Sequence, residues 1–228
     1  MITSLLNLFY PKVCAGCDSL LLSSENVICT VCRHSVPLTN HHLVAENEAF
    51  KKFYGKIPVE FVATFLYFHK KGIVQQMIHN LKYKGNEEIG ETIGNWFAAE
   101  LNALPNAISA DMIIPVPLHP KRLHQRGYNQ VTAFGNALSK TLSITYNEKL
   151  LVRNVYSKTQ TKKNLLGRTD FGSQSIFDVQ FTDADHGKHF LLVDDVLTTG
   201  STLEACGRAL LKIPNAKISI ACIAMSHS

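Results

Sequence analysis

Phe190-Leu-Leu-Val-Asp-Asp-Val-Leu-Thr-Thr-Gly-Ser-Thr202 is the stretch from which the rest of the chain can be read. Four apolar residues, Phe190 to Val193, suit a strand buried on both faces. Two adjacent carboxylates, Asp194 and Asp195, stand where that strand is expected to end. The turn Thr198-Thr199-Gly200-Ser201-Thr202 follows, then a helical pattern from about Leu203 to Lys212, with Pro214 as its stop. A strand–loop–helix unit of this kind aims backbone N–H groups and a helix N-terminus at one point, which suits a phosphate. Gly200 permits the close backbone approach that a phosphate needs.

The aspartates narrow the choice of phosphate compound. Carboxylates beside a phosphate repel it unless they face hydroxyls or a divalent cation. A ribose 5-phosphate meets both conditions, with its phosphate in the loop and its 2- and 3-hydroxyls on Asp194 and Asp195. The plainer alternative is an ordinary buried strand followed by a polar turn. No G-x-x-x-x-G-K-[ST] occurs in the chain, so a P-loop is excluded. The thirteen residues 190–202 resemble the 5-phosphoribosyl-1-diphosphate (PRPP) signature of type I phosphoribosyltransferases.

A chain of 228 residues suits one ordinary domain with a small appendage, or two small domains. An apolar fraction of 46% with mixed charge is that of a globular protein, not a disordered one. No apolar run approaches the ~20 residues that span a bilayer, so no membrane insertion is expected. Residues 1–9 lack a basic n-region and a cleavage site, and read as a short amphipathic helix, not a signal peptide. The expected compartment is the cytoplasm. Residues 1–50 carry only Lys12 and Arg33 against Asp18, Glu25, Glu46 and Glu48, so 21 of the 23 basic and 14 of the 18 acidic residues lie beyond them. Lys121, Arg122 and Arg126 fall in one acid-free run, and Lys149, Arg153, Lys158, Lys162, Lys163 and Arg168 in another. Such runs are often no more than solvated faces. In a chain that already carries a phosphate pattern, they read as anion-binding surface.

Cys14-Ala-Gly-Cys17 and Cys29-Thr-Val-Cys32 are separated by eleven residues. Two C-x-x-C turns at that distance can bring four thiolates to the corners of a tetrahedron, about 2.3 Å from a zinc ion. A disulfide framework and a redox dithiol are the alternatives. The first is disfavoured without a secretion signal, and the second does not need another C-x-x-C. Four ligands fill the shell, so the expected zinc is structural. Cys206 and Cys222 fall in apolar patterns and read as core.

Between these ends, residues 36–58 read as an irregular link. A strand is expected over 60–68, a helix from Ile73 to about Leu81, and a second helix from about Glu87 to Ala103, ending near Pro105. Asp111 to His119 reads as a strand closed by a Pro-rich loop. A cationic loop to Gln130 and a helix to about Leu142 come next, and a final strand spans about Ala216 to Met225. In a parallel sheet both loops would sit on one rim. One could then hold the 5-phosphate while the other meets the pyrophosphate.

Taken together, Cys14/Cys17/Cys29/Cys32, Leu81-Lys-Tyr-Lys-Gly85, the segment Pro115 to Gln130, the basic segment Arg153 to Arg168 and Val193 to Gly200 resemble the ComF/GntX family of type I phosphoribosyltransferase-like proteins (the competence protein F group) over nearly the whole chain. The resemblance implies an α/β fold, a type I phosphoribosyltransferase-like parallel sheet flanked by helices. It implies two units, an N-terminal helix with a four-cysteine zinc knuckle over residues 1–45 and the phosphoribosyltransferase-like domain over 58–228. It implies Mg2+-dependent displacement of pyrophosphate at C1 of PRPP by an acceptor it does not identify, and a link to competence and DNA uptake. Asp194 and Asp195 would bind the ribose, and Val196, Leu197, Thr198, Thr199, Gly200, Ser201 and Thr202 the 5-phosphate. Leu118, His119, Lys121, Arg122 and Arg126 would meet the rest of PRPP, and Arg153, Lys162, Lys163 and Arg168 would form a mobile hood. The alternative is a single-stranded DNA-binding factor that uses PRPP as ligand or regulator, alongside competence and DNA-processing proteins. Tyr128, Lys82 and Lys84 would then meet DNA, with Tyr128 the favoured ring among Tyr83, Phe134 and Tyr156. A scaffold that has lost catalysis is a third, weaker alternative. The sequence departs from the family in one place and from the oxopurine enzymes in another. Phe171 stands where the hood usually has Asn, and Thr198 stands where oxopurine enzymes usually have Asp, which weakens a purine-salvage reading.

Overall fold

The computed structural model describes residues 11–104, 108–154 and 175–226. The expected N-terminal helix, the stop at Pro105, and Tyr156, Lys162, Lys163, Arg168 and Phe171 lie outside the described residues. In chain order the elements are α1 (Thr30–Ser35), α2 (Glu48–Lys51), β1 (Phe61–Phe68), α3 (Ile73–Tyr83), α4 (Glu88–Asn102), β2 (Met112–Pro115), α5 (Pro120–Arg126), α6 (Thr132–Leu142), β3 (Thr145–Tyr146), β4 (Leu151–Arg153), β5 (Phe177–Val179), β6 (His189–Leu197), α7 (Ser201–Leu210) and β7 (Lys217–Ser226).

Five strands form one wholly parallel sheet in the order β1-β7-β6-β2-β3. Strands covered on both faces read as unbroken apolar runs, which is why β6 and β7 lack polar alternation in their middles. Alternation persists in which layer each side chain joins. Leu191 and Val193 pack with Leu81, Phe97 and Phe134 in the layer of α3, α4 and α6. Phe190 and Leu192 pack with Phe53, Phe177, Leu203 and Cys206 in the layer of α2, α7 and the antiparallel β4–β5 ribbon. Cys206 and Cys222 are fully buried, as core residues should be. In the first layer α4 crosses α6 closely: a Cβ on Gly94 would lie 2.7 Å from Ala137 Cβ and 2.8 Å from the Phe134 carbonyl.

Three local readings change. β6 does not stop at the aspartates but runs through them to Leu197, because β7 offers partners as far as Met225. The cationic loop contains a helix, α5, with local signals at both ends. His119 Nδ1 accepts from the Lys121 N–H at 3.2 Å, Pro120 takes the first helical position, and Gly127 closes the helix at φ +80° with its N–H on the Leu123 carbonyl at 2.7 Å. The stretch read as a link is integrated into the fold. Thr39 N–H donates to the Phe65 carbonyl at 3.0 Å and Tyr67 N–H to the Pro37 carbonyl at 2.8 Å, so residues 37–39 lie along the outer edge of β1. Phe53 and Ile57 are buried in the second layer.

Candidate functional site

Parallel strands bring β2 and β6 to the same rim of the sheet, and the two loops that follow them open there. Asp194 and Asp195 sit on that rim but belong to opposite faces, as consecutive strand residues must. Asp195 is 6% exposed and faces the α3 and α6 side. One of its oxygens accepts from Lys82 Nζ at 2.9 Å, and the other from the Gln130 side-chain amide. Gln130 in turn accepts from Arg126 at 2.5 Å through its carbonyl oxygen. Asp194 lies on the α7 side and lines a small hollow with Thr198, Gly200, Ser201 and Thr202. Its Oδ1 accepts the Asp195 N–H at 2.8 Å. Burial, with the Asp195 charge next door, pushes the Asp194 carboxyl up to about 7.

The hollow is built by the loop between β6 and α7. Gly200, at φ +83°, turns the chain into the helix, and a Cβ there would meet the Phe53 ring at 3.4 Å. A side chain would therefore be opposed by the backbone conformation, while the Phe53 ring would lie at ordinary contact distance. The first N–H groups of α7 have no partner within the helix and point into this turn. Thr198, Thr199, Ser201 and Thr202 are exposed around it, and the Thr199 and Ser201 hydroxyls lie 3.1 Å apart. Donors converge here on a space of about 30 Å³ beside one carboxylate.

Across the rim lies a larger cavity of about 310 Å³, lined by Lys82, Tyr83, Gly85, Arg122, Gln125, Arg126 and Tyr128. No carboxylate lines it, and its charged lining residues are all cationic. The Arg126 guanidinium lies 5.2 Å from the centre of the Tyr83 ring, which is 66% exposed. Tyr128, the favoured ring, is half-buried and its hydroxyl donates to the Leu81 carbonyl, while Phe134 is fully buried core. Of the two rings lining the pocket, Tyr83 is thus the exposed one. Lys82 borders the cavity with its amine on Asp195, Lys84 is exposed at the end of α3, and Lys121 is exposed on α5 outside the lining. Leu118 and His119 are half-buried ahead of α5, where His119 serves as its cap.

Arg153 stacks over Phe177, 5.2 Å from the ring centre, where β4 pairs with β5. Gln130 entered the sequence reading only as the last residue of the segment Pro115 to Gln130, with no role of its own. Its signal was an amide flanking the apolar start of α6, which marks burial but names no partner; it is 5% exposed.

Cys14, Cys17, Cys29 and Cys32 have their sulfurs within 4.8 Å of one another. Cys17 and Cys29 Sγ are 3.8 Å apart, close to the ~3.8 Å edge of a tetrahedron with 2.3 Å metal–sulfur bonds. Backbone N–H groups of Gly16 and Cys29 point at Cys14 Sγ at 3.4 and 3.2 Å, and that of Cys32 at Cys29 Sγ at 3.4 Å. Hydrogen bonding from Ser19 lowers Cys17 to about 6. The cluster could coordinate a structural metal. It is moored to the sheet domain by Asn80, whose amide donates to the Ala15 carbonyl at 2.9 Å, and by Arg33, 5.3 Å over Trp96. Among the described residues no helix is long and apolar enough to cross a membrane.

The sequence model of the phosphoribosyl transferase domain matches residues 158–228. Competence protein ComFC of Bacillus subtilis (strain 168) is 26% identical over 204 residues, 88% of this chain and 78% of that protein. DNA utilization protein YhgH of Escherichia coli (strain K12) is 27% identical over 157 residues, and the match spans 64% of this chain and 65% of YhgH. Among solved structures, glutamine PRPP amidotransferase from B. subtilis aligns at 15% identity and a TM-score of 0.41, over 64% of this chain and 30% of that one. The chain carries a phosphoribosyltransferase-fold domain, a parallel α/β sheet flanked by helices, and is related to the ComFC and YhgH proteins.

Proposed function

We propose that this protein binds PRPP with magnesium and supports displacement of pyrophosphate from C1 of the sugar. The observation that carries the reading is the rim itself, where the N–H-rich turn before α7, the acidic pair and the acid-free cationic pocket stand side by side. The turn Val196 to Thr202 would hold the 5-phosphate, with the acidic pair beside it and Asp194 its member facing the ribose, and Arg122 and Arg126 would hold the pyrophosphate, with Lys121 beside them. Arg153 and the basic residues beyond it would cover the ligand. Oxygen donors are what magnesium requires, and Asp194 is the carboxylate that opens on the hollow. When bound, the ion would neutralise charge gathering on the pyrophosphate oxygens. The acceptor's lone pair would form the new bond at C1 as the C1–O bond to pyrophosphate breaks, and the leaving electron pair would stay on pyrophosphate. Fixed cations on the leaving-group side lower that barrier.

The knuckle would hold zinc through its four thiolates and brace the fold, since no coordination position remains for a substrate. The relatives' names connect them with competence and DNA utilisation, and this chain would serve the same setting. A second reading is favoured by Tyr83, an exposed ring in a cationic pocket. It would make the protein a binder of single-stranded DNA, with phosphates on the arginines and a base on the ring.

Calorimetry with PRPP and Mg2+ tests the first reading. The wild type should bind, and the Asp194→Asn/Asp195→Asn double variant should lose at least ten-fold in affinity while keeping its fold. A folded wild type that shows no magnesium-dependent binding would overturn it. Binding of single-stranded oligonucleotides that weakens steeply with salt, without pyrophosphate release, would favour the second reading.

A further inference from the structure

We infer that the two aspartates have different jobs, Asp194 alone meeting the sugar while Asp195 acts as an internal tie that positions the cationic pocket. The inference rests on the PRPP reading of the rim and departs from it in taking Asp195 off the ligand.

The strand geometry separates the pair. Asp194 opens on the hollow that contains the phosphate turn, on the face of α7. Asp195 lies on the other face, with a side chain only 9% exposed. Both its oxygens already accept, one from Lys82 Nζ at 2.9 Å and one from Gln130. These contacts reach far along the chain. Lys82 belongs to the last turn of α3, and Gln130 to the connection between α5 and α6, so three separate elements meet at one carboxylate.

The tie has a fixed polarity. A carboxylate accepts on both oxygens, whereas an amide in its place offers one acceptor and one donor. Gln130 is oriented from both sides: its NH2 meets Asp195 and its carbonyl oxygen receives Arg126 at 2.5 Å. Asp195→Asn would place NH2 against either Lys82 or Gln130. If Gln130 flips to accommodate it, its NH2 turns on Arg126, which is a pure donor. The position of Arg126, and through it one wall of the 310 Å³ pocket, therefore depends on the charge and acceptor pattern of Asp195. Asp195, Gln130 and Lys82 are positioning residues, and Arg126 is the group they position.

The test separates the two anion sites by ligand. Ribose 5-phosphate reaches only the turn and the sugar side, whereas PRPP also carries the pyrophosphate. Both affinities, with Mg2+, would be measured by calorimetry for the wild type, Asp194→Asn, Asp195→Asn and Lys82→Gln, with thermal melts to confirm folding. Asp194→Asn should weaken both ligands about ten-fold or more. Asp195→Asn and Lys82→Gln should leave ribose 5-phosphate within about two-fold and weaken PRPP about ten-fold; because Lys82 itself lines the pocket, the variants at Asp195 and Gln130, which do not, decide between positioning and direct contact. Gln130→Leu, which cannot hold Arg126, should reproduce that pattern and serves if Asp195→Asn fails to fold. Equal loss of ribose 5-phosphate in the two aspartate variants would put Asp195 on the sugar and overturn the inference. So would unchanged PRPP affinity in Lys82→Gln and Gln130→Leu. A wild type that binds neither ligand would remove the PRPP reading itself, and with it this one.

Discussion

Asp194 is held at a protonation midpoint unusual for a carboxyl, raised from 3.8 to about 7 by burial and by its neighbour Asp195. The unfolded chain has no such penalty, so between about pH 4 and 7 the folded state binds more protons than the unfolded one. The contribution of Asp194 to stability therefore falls as pH rises through that window and levels off above it. Asp194→Asn removes the dependence: it should be close to neutral at pH 4 and raise Tm by several degrees at pH 8. Melting curves of the two proteins from pH 4 to 8 check this, and parallel curves would contradict it. The residue scale is also where the sequence was most and least informative. Gly200 could be assigned its turn because glycine allows close backbone approach, and its φ of +83° is one that glycine adopts without strain. Asp194 and Asp195 were visible as a pair, yet their separation by face was not used, because the strand was expected to end before them. Gln130 carries no signal for its partners, since hydrogen-bond direction is a property of packing and not of spacing.

Elements with a repeating period were legible: α3 and α4 differ from expectation by a residue or two at their ends, and β1 and β7 by one. Short elements were not. α5 has seven residues, of which only Pro120 and Leu123 are apolar, too few to define a face, so its charges outweighed its caps in the reading. β3, β4 and β5 have two or three residues each and no period to detect. α3 has a further part in the architecture. Near its start a Cβ on Gly16 of the knuckle would meet Ile73, Asn80 binds the knuckle's Ala15 carbonyl, and Lys82 at its end reaches Asp195. Stripping metal from the cysteine cluster should therefore be felt beyond it. Titration with a thiol-reactive reagent should release one zinc per chain, and chelation should lower Tm and weaken PRPP binding. Chelation that removes zinc without changing either would mean that the knuckle is not coupled to the sheet domain.

For the whole molecule, the sequence conveyed the class of fold through alternating apolar strands and helical patterns, but not the order of strands. Nothing local states that β7 lies between β1 and β6, since its apolar run would suit any strand covered on both faces. That placement governs how the protein can be assembled. The interior strand β7 is synthesised after both of its neighbours, with the whole of 69–216 between β1 and β7. During synthesis β1 and β6 therefore wait with unpaired backbone on the sides that β7 will fill, and the sheet closes only when the last of the three arrives. Contacts so distant along the chain form slowly, and open strand edges invite association with other chains. Refolding from denaturant should accordingly be slow, with yield falling as protein concentration rises. Fast, concentration-independent recovery would show that β1 and β6 are shielded before β7 joins them. A nascent chain of this protein thus has its greatest need of chaperones in the interval between the emergence of β6 and that of β7.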